Sequence, residues 1–188
     1  MSCNALTKGR GLDCSRSLGG VRNIYFGVYD VTTLTIASSE VTDIQMGAND
    51  LYKYSLEPGV ASVTETVVGD SAAGTIYYTP SVTILLNKLT KEDQNELKAL
   101  AQSKLIVYAE LNQITSSTNT RRKILCLGAL NGMRLNAGTD ATGAAWGDRN
   151  GYEWTLDGME QNPMAMVATY SAEPFDNGGF IFGDIITG

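Results

Sequence analysis

The 188-residue sequence contains no histidine. Histidine is the side chain used most often as a general base near neutral pH, and it is the commonest transition-metal ligand. Its absence excludes hydrolases and metal enzymes whose chemistry depends on an imidazole ring. We therefore expect no catalytic residue, no cofactor and no metal site in this chain, and we interpret the protein as not being an enzyme.

Charged residues are also scarce. They make up 18% of the sequence, whereas about 25% is usual for a soluble domain. Acidic residues outnumber basic ones by 20 to 14, which gives a net charge of −6. Binding of nucleic-acid phosphates depends on lysine and arginine, so an acidic chain is a poor candidate for that role. The low charge indicates that another molecule covers part of the surface.

Cysteines are few, and long apolar runs are absent. Cys3, Cys14 and Cys126 show no CxxC spacing, so they indicate neither a disulfide framework nor a zinc site. Cys126 lies in an apolar run, which predicts a buried thiol. Residues 1–20 lack the apolar core of a signal peptide, and no stretch reaches the ~18 apolar residues of a membrane helix. We expect no membrane anchor and folding in a reducing cytoplasm.

The pattern that is present favours a mainly β fold. Short runs rich in threonine, valine, isoleucine and tyrosine are separated by many of the 20 glycines. One segment, at about 91–103, has the features of a helix. Thr90 and Asp93 resemble a capping box at its start, and Leu97 and Leu100 lie on one apolar stripe. We predict that this helix packs on a sheet.

The chain divides into an N-terminal arm (residues 1–22), a β domain with one helix (23–170) and a C-terminal extension (171–188).

The Asn150-Gly151 pair predicts a tight type I′ hairpin turn. The apolar residues near the C-terminus predict a docked segment. We expect strands at about 22–29, 41–45, 51–56, 60–68, 75–78, 81–87, 105–111, 123–130, 152–156 and 164–170.

The two ends of the chain differ in charge. The arm has a net charge of +3, whereas residues 151–188 contain six acidic and no basic residues. In an assembly of identical copies, such ends can meet head to tail. We therefore assign the basic residues of the arm to a subunit interface; they are Lys8, Arg10, Arg16 and Arg22.

Further interface candidates come from aromatic and basic residues. Tyr77, Tyr78 and Trp146 are of the types that are enriched at subunit contacts, and the alternative for them is the core. Arg121 and Arg122 lie in a polar linker between two predicted strands, where we expect an exposed hairpin tip. We assign them to the interface as well, with contact to nucleic acid as the alternative.

One pair of carboxylates is a candidate for chemistry. Glu153 and Asp157 share a face of a predicted strand, because Tyr152, Trp154 and Leu156 alternate with them on the other face. Glycosidases use two carboxyl groups whose surroundings give them different pKa values. Here both belong to a solvated face, so we interpret the pair as part of a wet sheet surface.

Two stretches of the sequence resemble a known family. The first is LTKGRGLDC at residues 6–14, continuing through residues 18–26; the second runs from LNGMRL at 130–135 through residues 143–152 to Gly158-Met159-Glu160. The first is similar to the start of small virion proteins of tailed phages, particularly those infecting Bacteroidota. The second is similar to a stretch near the end of phage tail tube proteins. The predicted strand–helix–strand at 82–111 lies where that family has its single helix.

The resemblance implies a β-sandwich or barrel flanked by one helix, in hexameric rings that stack into a tail tube. The tube would be the conduit for DNA ejection. The implied partners are further copies of the chain, other phage tail proteins, and genomic DNA that passes through the lumen without specific binding. Assembly would take place in the host cytoplasm, and the final location would be the virion tail. Because such a lumen should repel phosphates, we expect Glu153 and Asp157 to face it.

Two alternatives remain open at this point. A neck, tail-terminator or capsid-decoration protein of a phage would share the same features. A β-sandwich module that binds a ligand or a carbohydrate would use the aromatic side chains for stacking.

Overall fold

The computed structural model describes residues 9–11, 17–114 and 121–188 and shows a mainly β protein with one α-helix, as predicted. A short 3-10 helix at Tyr29–Val31 follows the first strand. The helix α1 spans Lys91–Gln102, and the strands are β1 (Val21–Val28), β2 (Thr33–Ala37), β3 (Glu40–Gln45), β4 (Leu51–Ser55), β5 (Ala61–Asp70), β6 (Thr75–Asn87), β7 (Leu105–Ile114), β8 (Arg122–Leu127), β9 (Arg134–Ala141), β10 (Gly151–Asp157), β11 (Ala165–Val167) and β12 (Ile185–Thr187).

The helix begins where its capping residues predict. Thr90 has extended backbone geometry, and its Oγ1 accepts a hydrogen bond from the Asp93 backbone N–H at 3.1 Å. The same hydroxyl donates to the Asp93 carboxylate at 2.6 Å. Leu100 is buried and Leu97 packs against the core. The local cap and the apolar stripe together determine where α1 begins and which face it buries.

The strands form two sheets. The large sheet has eight strands in the order β12-β4-β1-β7-β8-β11-β3-β2, and the small sheet has four in the order β5-β6-β10-β9. Between them lies a first apolar core, which includes Trp154, Tyr152, Phe26 and Val107. This arrangement is consistent with the predicted β-sandwich, with α1 packed against the same core.

A second apolar core lies on the other face of the large sheet. Along β7, Val107 and Ala109 belong to the first core, whereas Ile106 and Tyr108 belong to the second. The central strands are therefore buried on both faces, which explains their nearly continuous apolar sequences. Phe175 is buried at the centre of the second core, with its ring 5.0 Å from that of Tyr25 and 5.4 Å from that of Tyr108.

The C-terminal segment completes one side of the large sheet. The backbone of Ile181 bonds to that of Ile44 and Met46 around the end of β3, at 2.7 Å in both cases. Four residues later, β12 pairs in parallel with β4. Because four residues span at most about 14 Å, β3 and β4 lie close together and the large sheet curls around the second core. The outer side of β4 is therefore paired with β12 of the same chain.

The predicted tight turn at Asn150-Gly151 is wrong. Strands β9 and β10 do pair as an antiparallel hairpin, but Gly151 is opposite Ala141 and the longer loop 142–150 connects them. Glycine is required at 151 for a different reason. A Cβ atom there would lie 1.9 Å from the carbonyl oxygen of Leu86 on the neighbouring strand.

A two-residue turn lies instead between β2 and β3. Its residues, Ser38 and Ser39, have φ angles of 52° and 65°. A type I′ turn needs positive φ at both central positions, which Asn-Gly adopts readily. For other L-residues the left-handed region costs roughly 1–2 kcal/mol each. This hairpin therefore stores backbone strain.

We expect Ser39→Gly to stabilise the protein. Glycine adopts positive φ without a Cβ clash, so the free energy of unfolding should rise by about 1 kcal/mol in urea titrations. Ser62→Gly, in the extended strand β5, is the matched control and should lower it by about 0.5–1 kcal/mol. An unchanged or lower stability for Ser39→Gly would show that the turn is not strained.

Candidate assembly surfaces

The small sheet has two exposed edges. Its outermost strands are β5, with 10 residues, and β9, with 8 residues, and no strand among the described residues pairs with their outer sides. Free edges of this length present rows of unpaired backbone N–H and C=O groups, which are templates for pairing with another chain. The two edges are therefore the first candidates for contacts between subunits.

The two edge strands run in opposite directions. We call the end of the small sheet where β10 begins the Gly151 end, and the opposite end the hairpin end. Strand β9 runs towards the Gly151 end and β5 runs away from it. A second copy placed alongside in the same orientation therefore brings its β5 antiparallel to β9. Antiparallel pairing is also the arrangement within the sheet.

One face of the small sheet packs on the first core and the other faces solvent. The solvent face is composed mainly of small hydroxyl-bearing and acidic side chains, and the hydroxyls of Thr83 and Thr155 lie 3.4 Å apart. Its members are Ser62, Thr64, Thr66, Ser81, Thr83, Leu85, Arg134, Ala137, Thr139, Glu153, Thr155 and Asp157.

Glu153 and Asp157 lie on this solvent face, as the alternation of β10 predicts. Glu153 forms a 3.0 Å ion pair with Arg149, and Asp157 accepts a hydrogen bond from the amide of Asn136. Both carboxylates are accessible and separately partnered. The geometry is that of a wet sheet surface and supplies no buried acid for glycoside hydrolysis.

A hairpin arm, residues 66–79, extends from the small sheet. The ladder between β6 and β10 runs to Ser81. Pro80 has no N–H to donate, but its carbonyl accepts from the Gly158 N–H at 3.2 Å, and the residues after β10 stay paired with β6 as far as Tyr78. Beyond that point β5 and β6 pair with each other. The arm exposes Val67, Val68 and Ile76, with 56%, 37% and 62% of their surface accessible. Because an isolated two-stranded hairpin is marginally stable in water, this arm is suited to contact another surface.

Tyr77 and Tyr78 lie near the base of the arm and are half-buried. The Tyr78 backbone exchanges two hydrogen bonds with that of Glu160, each 2.8 Å long. The carboxylate of Glu160 accepts from the N–H groups of Leu130 and Asn131, while burial raises its pKa. These contacts anchor the arm to the body of the domain.

Trp146 is fully exposed, with a relative accessibility of 107%. It lies in the loop 142–150, whose shape is fixed by Asp148. The carboxylate of Asp148 accepts hydrogen bonds from the N–H groups of Ala144 and Ala145, at 2.9 and 2.7 Å. These bonds lower the pKa of Asp148. The loop therefore holds the indole ring out into solvent. In contrast, Trp154 is fully buried and offers no stacking surface to a sugar.

The predicted basic interface residues are in different situations. Lys8 and Arg16 lie outside the described residues, whereas Arg10 and Arg22 are exposed. Arg121 donates from Nε to the carbonyl of Ser171 at 2.7 Å. Arg122 donates to the carbonyl of Asn112 at 2.8 Å. Both arginines are half-buried, and Arg122 begins β8, so the expectation that they form an exposed hairpin tip is wrong. Their role at an interface stays a prediction.

A buried carboxylate lies at one end of the second core. Glu110 is 4% exposed and accepts hydrogen bonds from the Asn23 amide at 2.5 Å and the Tyr25 hydroxyl at 3.1 Å. Its other oxygen lies 3.6 Å from Nε of Arg122. Burial, and then the charge of Glu110, raise the pKa of Tyr25. Both oxygens of Glu110 are engaged inside the protein, so this cluster has a structural role.

Comparison with protein-family models, curated protein sequences and solved structures gave no match. In the part of the chain that the structure describes, no cluster of acidic and cysteine side chains could hold a metal ion. Within the same ranges, no helix is long and apolar enough to cross a membrane. The sheet edges, the solvent face and the hairpin arm are therefore the features of this chain that bear on its function.

Proposed function

We propose that this protein is a structural subunit that assembles into rings, which stack as a phage tail tube and form the conduit for DNA ejection. The observation that carries the proposal is the pair of free edges on the small sheet. Their opposite directions allow β9 of one copy to pair antiparallel with β5 of the next. Such a contact uses two different surfaces and generates a ring when the rotation closes.

Ring closure removes every free edge of the small sheet. Each copy contributes four strands, so a hexamer would form a closed barrel of 24 strands. Barrels of more than about 16 strands enclose a water-filled channel. The first core occupies one face of the small sheet, so the solvent face would line the channel.

The chemistry of the solvent face suits passage of DNA. Serine and threonine hydroxyls are uncharged, and the carboxylates of Glu153 and Asp157 are matched by Arg149 and Arg134, so the face has no surplus of positive charge that would hold phosphates. A polymer with one charge per ~1.7 Å would slide past such a wall without being held by it. Genomic DNA is thus a transient occupant of the channel.

The hairpin arm supplies a contact between rings. It continues the strand direction of β5 and β6 beyond the small sheet, so it projects from one side of the ring. Its exposed Val67, Val68 and Ile76 would be covered by the next ring, or by other phage tail proteins at the end of the tube. The assembled protein would be located in the virion tail, after assembly in the host cytoplasm.

Electron microscopy and sedimentation velocity of the purified protein test the proposal. We expect rings and tubes whose amount rises with protein concentration. A variant in which residues 67–76 are replaced by a short glycine turn should form rings that do not stack. A protein that stays monomeric at high concentration would contradict the proposed function.

We expect deletion of residues 1–20, which precede β1, to weaken assembly about tenfold while the domain stays folded. The reason is the loss of several exposed ion pairs, each contributing about 0.5 kcal/mol. Assembly of the intact chain should weaken similarly between about 0.1 and 1 M salt, where the screening length falls from about 10 to 3 Å. Replacing Lys8, Arg10 and Arg16 by glutamine in the full-length chain removes the same charges without removing the segment, and it should weaken assembly to a similar extent. Normal assembly of the chain without residues 1–20 would refute this role of the N-terminal residues.

A further inference from the structure

The loop that carries Trp146 continues directly from a free edge. Strand β9 ends at Ala141, and the loop 142–150 follows at the Gly151 end of the small sheet. Trp146 stands between the small residues Ala145 and Gly147. Tryptophan is among the residues that contribute most to binding at protein interfaces. A fully exposed indole on an ordered loop is therefore suited to insertion into a pocket of another protein.

A pocket of matching character lies at the same end of the opposite edge. It has a volume of about 250 Å³ and surrounds Val60, the residue before β5. Tyr54 and Leu56 contribute apolar wall, whereas Glu57 and Asp93 contribute carboxylate groups. The full lining is Tyr54, Ser55, Leu56, Glu57, Val60, Leu85, Leu86, Asn87 and Asp93.

Strand direction brings these two features together. In copies that share one orientation, β9 ends and β5 begins at the same level, the Gly151 end. Pairing of β9 with the neighbour's β5 therefore places the loop 142–150 beside the neighbour's pocket. Within one copy, Asn150 of this loop bonds to Lys88, next to the pocket residues Leu85 to Asn87. Trp146 itself is fully exposed and does not enter that copy's own pocket, so the occupant is a second copy.

The chemistry of the pocket fits an indole ring. The faces of the ring would lie against the side chains of Leu56 and Val60. A buried indole N–H needs a hydrogen-bond acceptor, and the carboxylates of Glu57 and Asp93 offer acceptor oxygens.

We propose that Trp146 of each copy is bound in the pocket around Val60 of the neighbouring copy in the ring. This inference rests on the edge pairing of the proposed function and adds a side-chain anchor to it. It assigns a specific role to the loop 142–150, which lies outside the strand ladders.

Tryptophan fluorescence measures whether Trp146 becomes buried when the subunits assemble. Trp154 is 0% exposed, so acrylamide quenching of the dissociated subunit reports Trp146. We expect this quenching to be lost on assembly, together with a shift of the emission to shorter wavelength. Trp146→Ala should raise the protein concentration needed for assembly about 30-fold. Its free energy of unfolding should be unchanged, because the indole is fully exposed in the subunit.

Disulfide formation between copies locates the contact. In a background with Cys3→Ser and Cys14→Ser, we would mix a Gly147→Cys variant with a Ser55→Cys variant. The expected result is a covalent heterodimer under mild oxidation. The matched control mixes Gly147→Cys with Met159→Cys, which is 65% exposed and lies beyond the other end of β10, and should give none.

The outcomes separate this inference from the proposed function. If rings form but Trp146 stays open to acrylamide, or Gly147→Cys fails to link to Ser55→Cys, the inference is overturned and ring assembly stands. If the intact protein forms no oligomer, the proposed function falls and the inference falls with it.

Discussion

Proline on the outer side of β9 is expected to raise the protein concentration needed for assembly about 100-fold and to leave the subunit folded. The N–H groups of a strand point alternately to its two sides, so positions 137 and 139 face one side and positions 138 and 140 the other. One of these pairs of N–H groups bonds to β10, and the other forms the free edge. Single proline substitutions at Ala137, Gly138, Thr139 and Asp140 thus provide matched controls for each other.

Prolines on the free-edge side should weaken assembly, whereas prolines on the β10 side should weaken folding. Proline on the free-edge side removes a donor to the neighbouring copy and obstructs its approach, at a cost of about 3 kcal/mol per interface, roughly 100-fold in the concentration needed for assembly. Proline on the β10 side removes a bond inside the sheet and should lower the free energy of unfolding by a similar amount.

Urea unfolding and sedimentation velocity measure the two effects separately. The decisive variants are the proline variants whose free energy of unfolding equals that of the natural sequence. If all of them still form rings, the edge of β9 takes no part in assembly, and the proposed ring would need a different interface.

Glu110→Ala is expected to lower the free energy of unfolding by about 3–5 kcal/mol. The change removes the acceptor for the Asn23 amide and the Tyr25 hydroxyl, and it leaves Arg122 without its carboxylate partner. Removing one member of a buried charged network costs about that much, because the remaining polar groups stay desolvated.

Two further variants define the cause of this effect. Glu110→Gln keeps an oxygen acceptor but no charge, so we expect a smaller loss of about 1–3 kcal/mol. Glu153→Ala, at an exposed ion pair, should change stability by less than about 1 kcal/mol. A loss below about 1 kcal/mol for Glu110→Ala in urea unfolding would show that the cluster contributes little.

Features fixed by neighbouring residues were predictable from the sequence. The cap formed by Thr90 and Asp93 involves residues three apart, and it places the start of α1 correctly. The alternation along β10 distinguishes the buried Trp154 from the solvated Glu153 because successive side chains point to opposite faces. In each case the information lies within a few residues.

Turns show where local reasoning fails. Asn150-Gly151 is the strongest short hairpin signal in the sequence, yet Gly151 is required by the carbonyl of Leu86 and not by a turn. The actual two-residue turn is made by Ser38 and Ser39, which lack that signal. Packing and strand pairing outweigh the intrinsic preference of the turn residues at both places.

Contacts between distant residues were beyond sequence reasoning. Glu110 bonds to Asn23 across 87 positions, and nothing near Glu110 in the sequence indicates that partner. The free edges of β5 and β9 likewise become visible only once strand order is known. The exposure of Trp146 is consistent with its predicted interface role, but the pocket that suits it is formed by residues from four separate stretches of the chain.

The opposite placement of the hairpin arm and the Trp146 loop has a consequence for how a stack would grow. If all rings point the same way, one terminus of the tube displays apolar hairpins and the other displays the loop side. The tube then has a direction, because its two ends display different surfaces. The component that initiates it and the component that stops it must therefore have different shapes, because each meets a different surface.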